Sequence, residues 1–506
     1  RQESSCSDLR SSNLLLRICL YQATHLISRF SLQHTGRAIL YQRLLSCSTT
    51  AETIPMAAGS SSKTYGRFSQ ILSLSRKSIT DFVTRRENFR HYTFIKEKFM
   101  NYESAYKLLE EKNQLHLLRY YNTLSESDKA ALLSQIEEID FSLIDMIDKD
   151  NSAKDSDIAP VAALQMDTIN EKHDTYLNAG LTSIKNGELA LVLLAGGQGT
   201  RLGFNGPKGT FNVGVTKDMY IFQLLIEHTM DIVKLADTWI HFFIMTNEKN
   251  HDDTTAFFKE HDYFGYDPEH IHFFKQEMVP SVDFNGKIYL EEKGRIAMSP
   301  NGNGGWFSSL CKAGHLETIN KHNIKYINVF SVDNVLQRIA DPVFLGAVIT
   351  EGFLSGGKVV KKAYPDEKVG VLCTNHGKPY IVEYYELTEE MRDERDENGD
   401  YAYNYGVTLN YIFPVDRLMK IMNESMPLHI VKKAIPYVDE NGDIIKPAEP
   451  NGYKFETLAL DMIAFMGTCL PFEVDREKEF APIKNATGND SIDSARELLK
   501  KNGYTL

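Results

Sequence analysis

The sequence predicts an α/β protein built around a mostly parallel, mixed sheet, with a helical N-terminal cap and a small C-terminal segment. Three observations predict it. The run Leu189-Ala190-Leu191-Val192-Leu193-Leu194 is apolar at every position, as a strand covered on both faces by helices must be. Apolar segments of strand and helix character then alternate, at 189–194, 220–232, 240–245, 254–260 and 327–332. A length of 506 residues, 42% hydrophobic and 25% charged, is enough for more than one folding unit and a large core.

The chain divides by composition. Residues 1–99 hold 15 Lys+Arg against 6 Asp+Glu, although the whole chain carries a net charge of -12. This basic, Ser- and Arg-rich stretch reads as an organelle transit segment or as a non-native region ahead of a start at Met56 or Met100, poorly ordered and outside the chemistry. Residues 100–180 are expected to form the helical cap. Leu108, Leu109, Leu115 and Leu118 recur at helical spacing, and Ser125-Glu126-Ser127-Asp128 reads as a capping box before Ala130, Leu132, Leu133 and Ile136. Residues 181–440 are expected to be the catalytic domain, with hairpins at Asn285-Gly286 and at Asn375-His376-Gly377. Residues 441–506 form the C-terminal segment, with strand character at 469–474 and helix character at 491–501.

Composition also narrows the function. Cys6, Cys19, Cys47, Cys311, Cys373 and Cys469 form no CxxC pair, which points to a reducing, cytoplasmic setting and away from a zinc or disulfide framework. The acidic balance disfavours a nucleic-acid partner, and no apolar run reaches the length of a membrane span.

The chemistry starts where the apolar strand ends, in Ala195-Gly196-Gly197-Gln198-Gly199-Thr200-Arg201-Leu202-Gly203. Glycine lets backbone N–H groups turn toward an anion with no Cβ in the way, and a strand leading into such a loop suits a nucleotide phosphate. Arg201 adds a cation, and Gly206-Pro207-Lys208-Gly209 presents a second. A dinucleotide fingerprint, G-x-G-x-x-G, fails because Leu202 takes its last glycine place, and a P-loop fails because Pro207 precedes Lys208 and Gly209 replaces the Ser/Thr. A glycine turn without a ligand does not explain why Arg201 and Lys208 arrive together.

The stretch from Leu194 to Gly203, followed by Pro207-Lys208-Gly209, resembles the signature of the UDP-N-acetylhexosamine pyrophosphorylases within the UTP:sugar-1-phosphate uridylyltransferases. Further blocks follow in family order: Phe273-Phe274-Lys275-Gln276, Met298 to Gly305, Val332-Asp333-Asn334, Val382-Glu383-Tyr384 and Pro482-Ile483-Lys484-Asn485. The resemblance runs from about residue 100 to the end and implies a nucleotide-diphospho-sugar transferase fold, Rossmann-like in layout. It implies that a sugar 1-phosphate attacks the α-phosphorus of UTP and that UDP-sugar and pyrophosphate are formed. Glucose and galactose 1-phosphates stand beside the N-acetylated hexoses, and a catalytically silent sugar-nucleotide binder is the reading from another class.

The resemblance also implies residue roles. Arg201, Lys208 and Lys484 neutralise phosphates, and Asp333, after an expected strand, holds Mg²⁺ or Mn²⁺. Leu194, Gly196, Gly197, Gln276, Gly302 and Gly304 line the nucleotide, with Gln276 reading uracil, and Glu383, Asn404 and Gly406 meet the sugar. One departure stands out. Where the family carries Asn-Ile-x-Asn-His after a glycine, Gly406 is followed by Val407-Thr408-Leu409-Asn410-Tyr411, and Leu458 and Leu460 occupy places expected to be aromatic. The hexose pocket is therefore expected to be more apolar and less directional. A monomer or weak homo-oligomer is expected.

Overall fold

The structure, a computed structural model, describes residues 100–147, 157–422 and 426–506; the basic segment expected at 1–99 lies outside them. In chain order the elements that matter to the site are α1 (Tyr102–Glu111), α2 (Glu126–Glu137), β1 (Ile158–Pro160), α3 (His173–Lys185), β2 (Leu189–Leu194), α4 (Ile221–Ala236), β3 (His241–Thr246), α5 (His251–Glu260), β4 (Ile271–Lys275), α6 (Trp306–Lys312) and α7 (Leu316–Lys321). They continue with β5 (Tyr326–Ser331), α8 (Pro342–Thr350), β6 (Gly356–Lys361), β7 (Val371–Asn375), β8 (Lys378–Val382), β9 (Tyr405–Pro414), β10 (Leu470–Glu473) and α9 (Ile492–Lys501).

The main sheet has ten strands, ordered β1-β7-β9-β5-β2-β3-β4, with β8 on β7, β6 on β9 and β10 on β6. Its centre is parallel: β5, β2, β3 and β4 run the same way, with Leu194 opposite Ser331 and Met245. β9 turns the sheet antiparallel beside β5, and β6 and β10 pair parallel at the far side. Every residue of β2 is buried, as its unbroken apolar run requires. Two apolar layers cover the sheet. Leu191 and Leu193 pack with α4 and α8, while Ala190, Val192 and Leu194 face Trp306, Phe307 and Phe413.

Packing draws the domain limits differently from composition. The expected cap at 100–180 holds together only to its first two helices: Ala105, Leu109, Leu132 and Ile136 bury against Val282, Ile288, Ile296 and Phe455. Ser125 caps α2, accepting from the Asp128 N–H at 3.2 Å and donating to its carboxylate. Residues 157–185 belong instead with the sheet, since β1 pairs with β7 and α3 packs against α8. The C-terminal segment is likewise built in. β10 is a strand of the main sheet, and Gly452–Glu456 pairs with Val282–Asp283 beside the cap.

The α3–α8 crossing depends on glycine at two positions. A Cβ on Gly180 would lie 1.9 Å from the Pro342 carbonyl oxygen, and one on Gly346 would lie 1.8 Å from that of Tyr176. Backbones in such close approach leave no room for any side chain.

Candidate active site

The parallel register brings the carboxyl ends of β2, β3, β4 and β5 level, so the residues that follow them share one edge of the sheet. After β2 comes the glycine loop, and the carbonyls of Ala195, Gly196 and Gly197 are all taken. Asn250 Nδ2 donates to the Ala195 and Gly197 oxygens at 3.1 and 3.4 Å, Asn247 Nδ2 donates to the Gly196 oxygen at 2.5 Å, and the Lys208 N–H donates to the Gly197 oxygen at 3.1 Å. The N–H groups of Gly196, Gly197 and Gln198 have no acceptor among the described residues. Carbonyls held away and N–H groups left free make an anion cradle.

Asn247 and Asn250, both buried, were not singled out by sequence. The Asn250 carboxamide oxygen also accepts from the Asn247 N–H at 2.8 Å, so the pair forms one rigid bracket between the end of β3 and the loop. An asparagine just past a strand looks like ordinary turn chemistry in sequence; only the carbonyls opposite reveal the role.

Lys208 and Asp333 meet across this edge. The Lys208 ammonium lies 2.5 Å from the Asp333 carboxylate, with the lysine side chain 9% exposed and the aspartate 35%. Asp333 follows β5 directly, and the C-terminal segment fixes it from behind: the Ile483 N–H donates to the Asp333 carbonyl at 2.9 Å, while the Asn334 amide joins Glu479 and Ala481. Lys484, next in that segment, is paired with Asp490 at 3.1 Å. Arg201 is exposed, on the short turn Thr200–Leu202, with no ion pair among the described residues.

Gln276 follows β4 and is buried. Its Nε2 donates to the Gly302 carbonyl, and its Oε1 lies beside Gly196, where a Cβ would come within 3.0 Å of it. At Gly302 and Gly304 the chain comes close to its own backbone. A Cβ on Gly302 would lie 2.1 Å from the Thr457 oxygen and one on Gly304 2.7 Å from the Leu458 nitrogen, and the Gly304 N–H donates to the Thr457 carbonyl. Gly302, at φ +83°, needs glycine for its backbone as well.

Beyond β8 stands Glu383, whose carboxyl is pushed up by burial and by Glu386 and Asp461, against the pull of His429 and Lys484. Asp461 is held by His429 Nε2 at 2.8 Å. Asn404 and Gly406 stand at the start of β9, which pairs with β7 at Val371, opposite Val382 on β8. The Asn404 side chain accepts from the Lys362 N–H at 3.0 Å, and Gly406 is buried in β9 against Val369. Val407, Leu409 and Leu460 share one apolar cluster. Leu409 sits at φ +53° in β9, whose register with β6 slips between Gly357 and Val359, so a bulge kinks the sheet there.

A cradle of free N–H groups at the carboxyl end of a central parallel strand, opposite a lysine–aspartate pair and a glutamine on the same edge, is an arrangement suited to a nucleotide in an α/β transferase. Comparison with known proteins makes this particular. Residues 131–501 match the family described as UTP–glucose-1-phosphate uridylyltransferase. A UDP-N-acetylhexosamine pyrophosphorylase-like protein 1 from Mus musculus is 37% identical over 423 residues, 78% of this chain and 83% of that one. The UDP-N-acetylglucosamine pyrophosphorylase of Saccharomyces cerevisiae is 35% identical over 433 residues, 78% and 89% of the two chains. The crystal structure of a uridine diphosphate N-acetylglucosamine pyrophosphorylase from Trypanosoma brucei superposes with a TM-score of 0.69 at 29% identity, covering 78% of this chain and 84% of that chain. The chain belongs to the UTP–glucose-1-phosphate uridylyltransferase family, and it is an enzyme of the uridylyltransferase class.

Proposed function

We propose that the chain joins UTP and an N-acetylhexosamine 1-phosphate, N-acetylglucosamine 1-phosphate first among them, into a UDP-sugar with release of pyrophosphate. The observation that carries this reading is the cradle of free N–H groups at Gly196, Gly197 and Gln198, set on the same edge as Lys208 and Asp333. The N-acetylated sugar is favoured by the names of the relatives.

The sugar-phosphate oxygen is itself the nucleophile, so this chain's residues orient groups and neutralise charge. The cradle holds the UTP phosphates, and Arg201, with no partner to give up, swings onto the departing pyrophosphate. Lys208 stabilises charge at the α-phosphate, and Lys484 draws the attacking phosphate toward it. Gln276 keeps its Oε1 free as an acceptor for a uracil N–H because its Nε2 is committed to Gly302. Leu194 ends the strand beneath the base, and Glu383 accepts from a sugar hydroxyl.

Asp333 fits a Mg²⁺ or Mn²⁺ ion: it is a partly exposed carboxylate at a strand's end, and such ions take one or two carboxylates and complete their shell with substrate phosphates and water. When bound, the ion supplies further charge neutralisation across the phosphates. Every group invoked stands on one chain, which supports function as a monomer or weak homo-oligomer, and the reducing-compartment reading of the cysteines supports a cytoplasmic site. A pyrophosphate-release assay with Mg²⁺, a panel of sugar 1-phosphates and UTP or ATP tests the reading. Turnover with UTP and N-acetylglucosamine 1-phosphate supports it; equal turnover with ATP, or none with any sugar 1-phosphate, overturns it.

A further inference from the structure

Between β5 and α8 the chain runs through a loop, 332–341, with Asp333 near its start. The Asp333 backbone is held on both sides: its N–H donates to Ser331 Oγ at 3.2 Å, and its carbonyl accepts from the Ile483 N–H at 2.9 Å. Further along the loop, Gln337 returns to the same turn. Gln337 is 1% exposed, and its Nε2 donates to the Ser331 carbonyl at 2.6 Å and to the Asn334 carbonyl at 2.9 Å. One amide nitrogen thus spends both hydrogens on the carbonyls that flank Val332 and Asp333. Its orientation is fixed, because both carbonyls can only accept and Gln337 Oε1 faces Asn410 Nδ2 at 3.4 Å.

Gln337 is gripped in turn. His228 of α4 sets Nδ1 3.1 Å from the Gln337 carbonyl oxygen and Nε2 2.6 Å from the hydroxyl of Tyr504, a residue that follows α9. A carbonyl cannot donate, so Nδ1 carries the ring proton, and burial holds the imidazole below its ordinary value, which leaves Nε2 to accept from Tyr504. The donors therefore run one way, from Tyr504 to His228 to the Gln337 carbonyl, and from the Gln337 amide to Ser331 and Asn334. Without that amide two carbonyls beside Asp333 lose a donor. The turn recovers one only by rotating its peptide groups, which carries the Asp333 carboxylate out of place.

We propose that Gln337, braced by His228 and Tyr504, is a positioning residue for the nucleotidyl transfer: it fixes the Asp333 carboxylate in the orientation that meets Lys208 and receives the divalent ion with UTP. The inference rests on the metal role of Asp333 proposed above. The carboxylate is 35% exposed and has Lys208 as its only ion-pair partner among the described residues, so its aim depends on the backbone that carries it. Groups behind a metal ligand set that ligand's orientation, and losing one costs roughly 10–100-fold in metal affinity.

The test is the affinity of the full chain for UTP, measured by calorimetry with and without Mn²⁺ and with no sugar 1-phosphate present, so that no turnover occurs. In the wild type Mn²⁺ is expected to tighten UTP binding. Gln337→Met, which keeps the length of the side chain and offers no donor, should reduce that tightening by roughly tenfold with the metal-free UTP affinity unchanged. Tyr504→Phe, which removes only the hydroxyl at the outer end of the donor chain, should reduce it by roughly threefold. A merely structural role lowers the melting transition and leaves the Mn²⁺ ratio where it was. Asp333→Asn is the control. If it loses the tightening while Gln337→Met keeps the wild-type ratio, or Tyr504→Phe does where Gln337→Met fails to fold, the positioning role is overturned. If Asp333→Asn itself keeps the wild-type ratio, the metal role of Asp333 falls, and the positioning role with it.

Discussion

Lys208 illustrates how one residue carries both stability and chemistry. Its ammonium is almost entirely out of water and has Asp333 as its ion-pair partner, so the two charges hold each other in place, and in the proposed reaction the lysine turns to the substrate phosphates. Lys208→Ala and Arg201→Ala are each expected to lower turnover by a factor on the order of 100, because each removes a preorganised positive charge from a developing anion. Asp333→Asn keeps the shape and an acceptor for Lys208, so it should abolish Mg²⁺-dependent turnover while the thermal transition survives. Pyrophosphate release across a Mg²⁺ titration, with melting curves, checks all three; unchanged metal dependence in Asp333→Asn would assign the ion elsewhere. Val407 is the residue to change for specificity. It lies in an apolar cluster with Leu409 and Leu460 where the resemblance implies an amide, so the wild type should turn over more than one hexose 1-phosphate. Val407→Asn should shift the kcat/KM ratio between N-acetylglucosamine and glucose 1-phosphates by roughly 1–3 kcal/mol, the scale of one polar contact. An unchanged ratio would place hexose discrimination on other residues.

Elements differ in how plainly the sequence announces them, and the reason is where their faces point. β2 was legible because burial on both faces forces an unbroken apolar run, and the Ser125 cap was legible because its hydrogen bonds are local. α3 was not. Its amphipathic pattern looks like that of the cap helices, and nothing local says that its buried face, with Tyr176 and Gly180, meets α8 rather than α1. The glycine loop was legible as a phosphate site, yet its bracket of Asn247 and Asn250 lies some 50 residues away and depends on a parallel register no short motif encodes. Asn404 and Gly406 were placed at the sugar by a family block; locally, Asn404 accepts from the Lys362 N–H and Gly406 packs under Val369, contacts that no sequence motif announces. The α3–α8 crossing also yields a prediction. Gly346→Ala sets a methyl carbon 1.8 Å from the Tyr176 carbonyl oxygen, which no rotamer relieves, so the helices must move apart. A loss of about 1–3 kcal/mol or more is expected, read as a lower denaturant midpoint with an unchanged slope. An unaltered midpoint would mean that the crossing is looser than described.

The main sheet, the helix that follows the Asp333 loop and the C-terminal segment meet at a buried charge cluster. Lys358 of β6, 1% exposed, reaches Asp341 at the start of α8 at 2.7 Å and Glu479 of the C-terminal segment at 2.6 Å. Glu479 also accepts through its carbonyl from Asn334, the neighbour of Asp333, so the cluster braces the site from behind. Burial alone pushes the Asp341 carboxyl up, but Lys358, its hydrogen bond and Arg338 outweigh this and hold it below the usual value of 3.8. Burial pulls Lys358 down, and the two carboxylates outweigh that and hold it above 10.5. A lowered carboxyl stabilises the fold above its unfolded pKa and loses that stability as pH falls through its folded one. A raised lysine stabilises below its unfolded pKa and loses that stability as pH rises through its folded one. The cluster therefore contributes evenly across the neutral range. Lys358→Met leaves two buried carboxylates with only the more exposed Arg338 as counter-ion, a loss of about 3–5 kcal/mol at pH 7. In the variant Arg338 remains to oppose burial but Lys358 and its hydrogen bond are gone, so a carboxyl pKa rises above its unfolded value and protonation now favours the fold. Unfolding of both proteins at pH 5 and pH 7 should show the stability gap narrowing at pH 5; a gap that stays constant would mean that Arg338 alone satisfies the carboxylates.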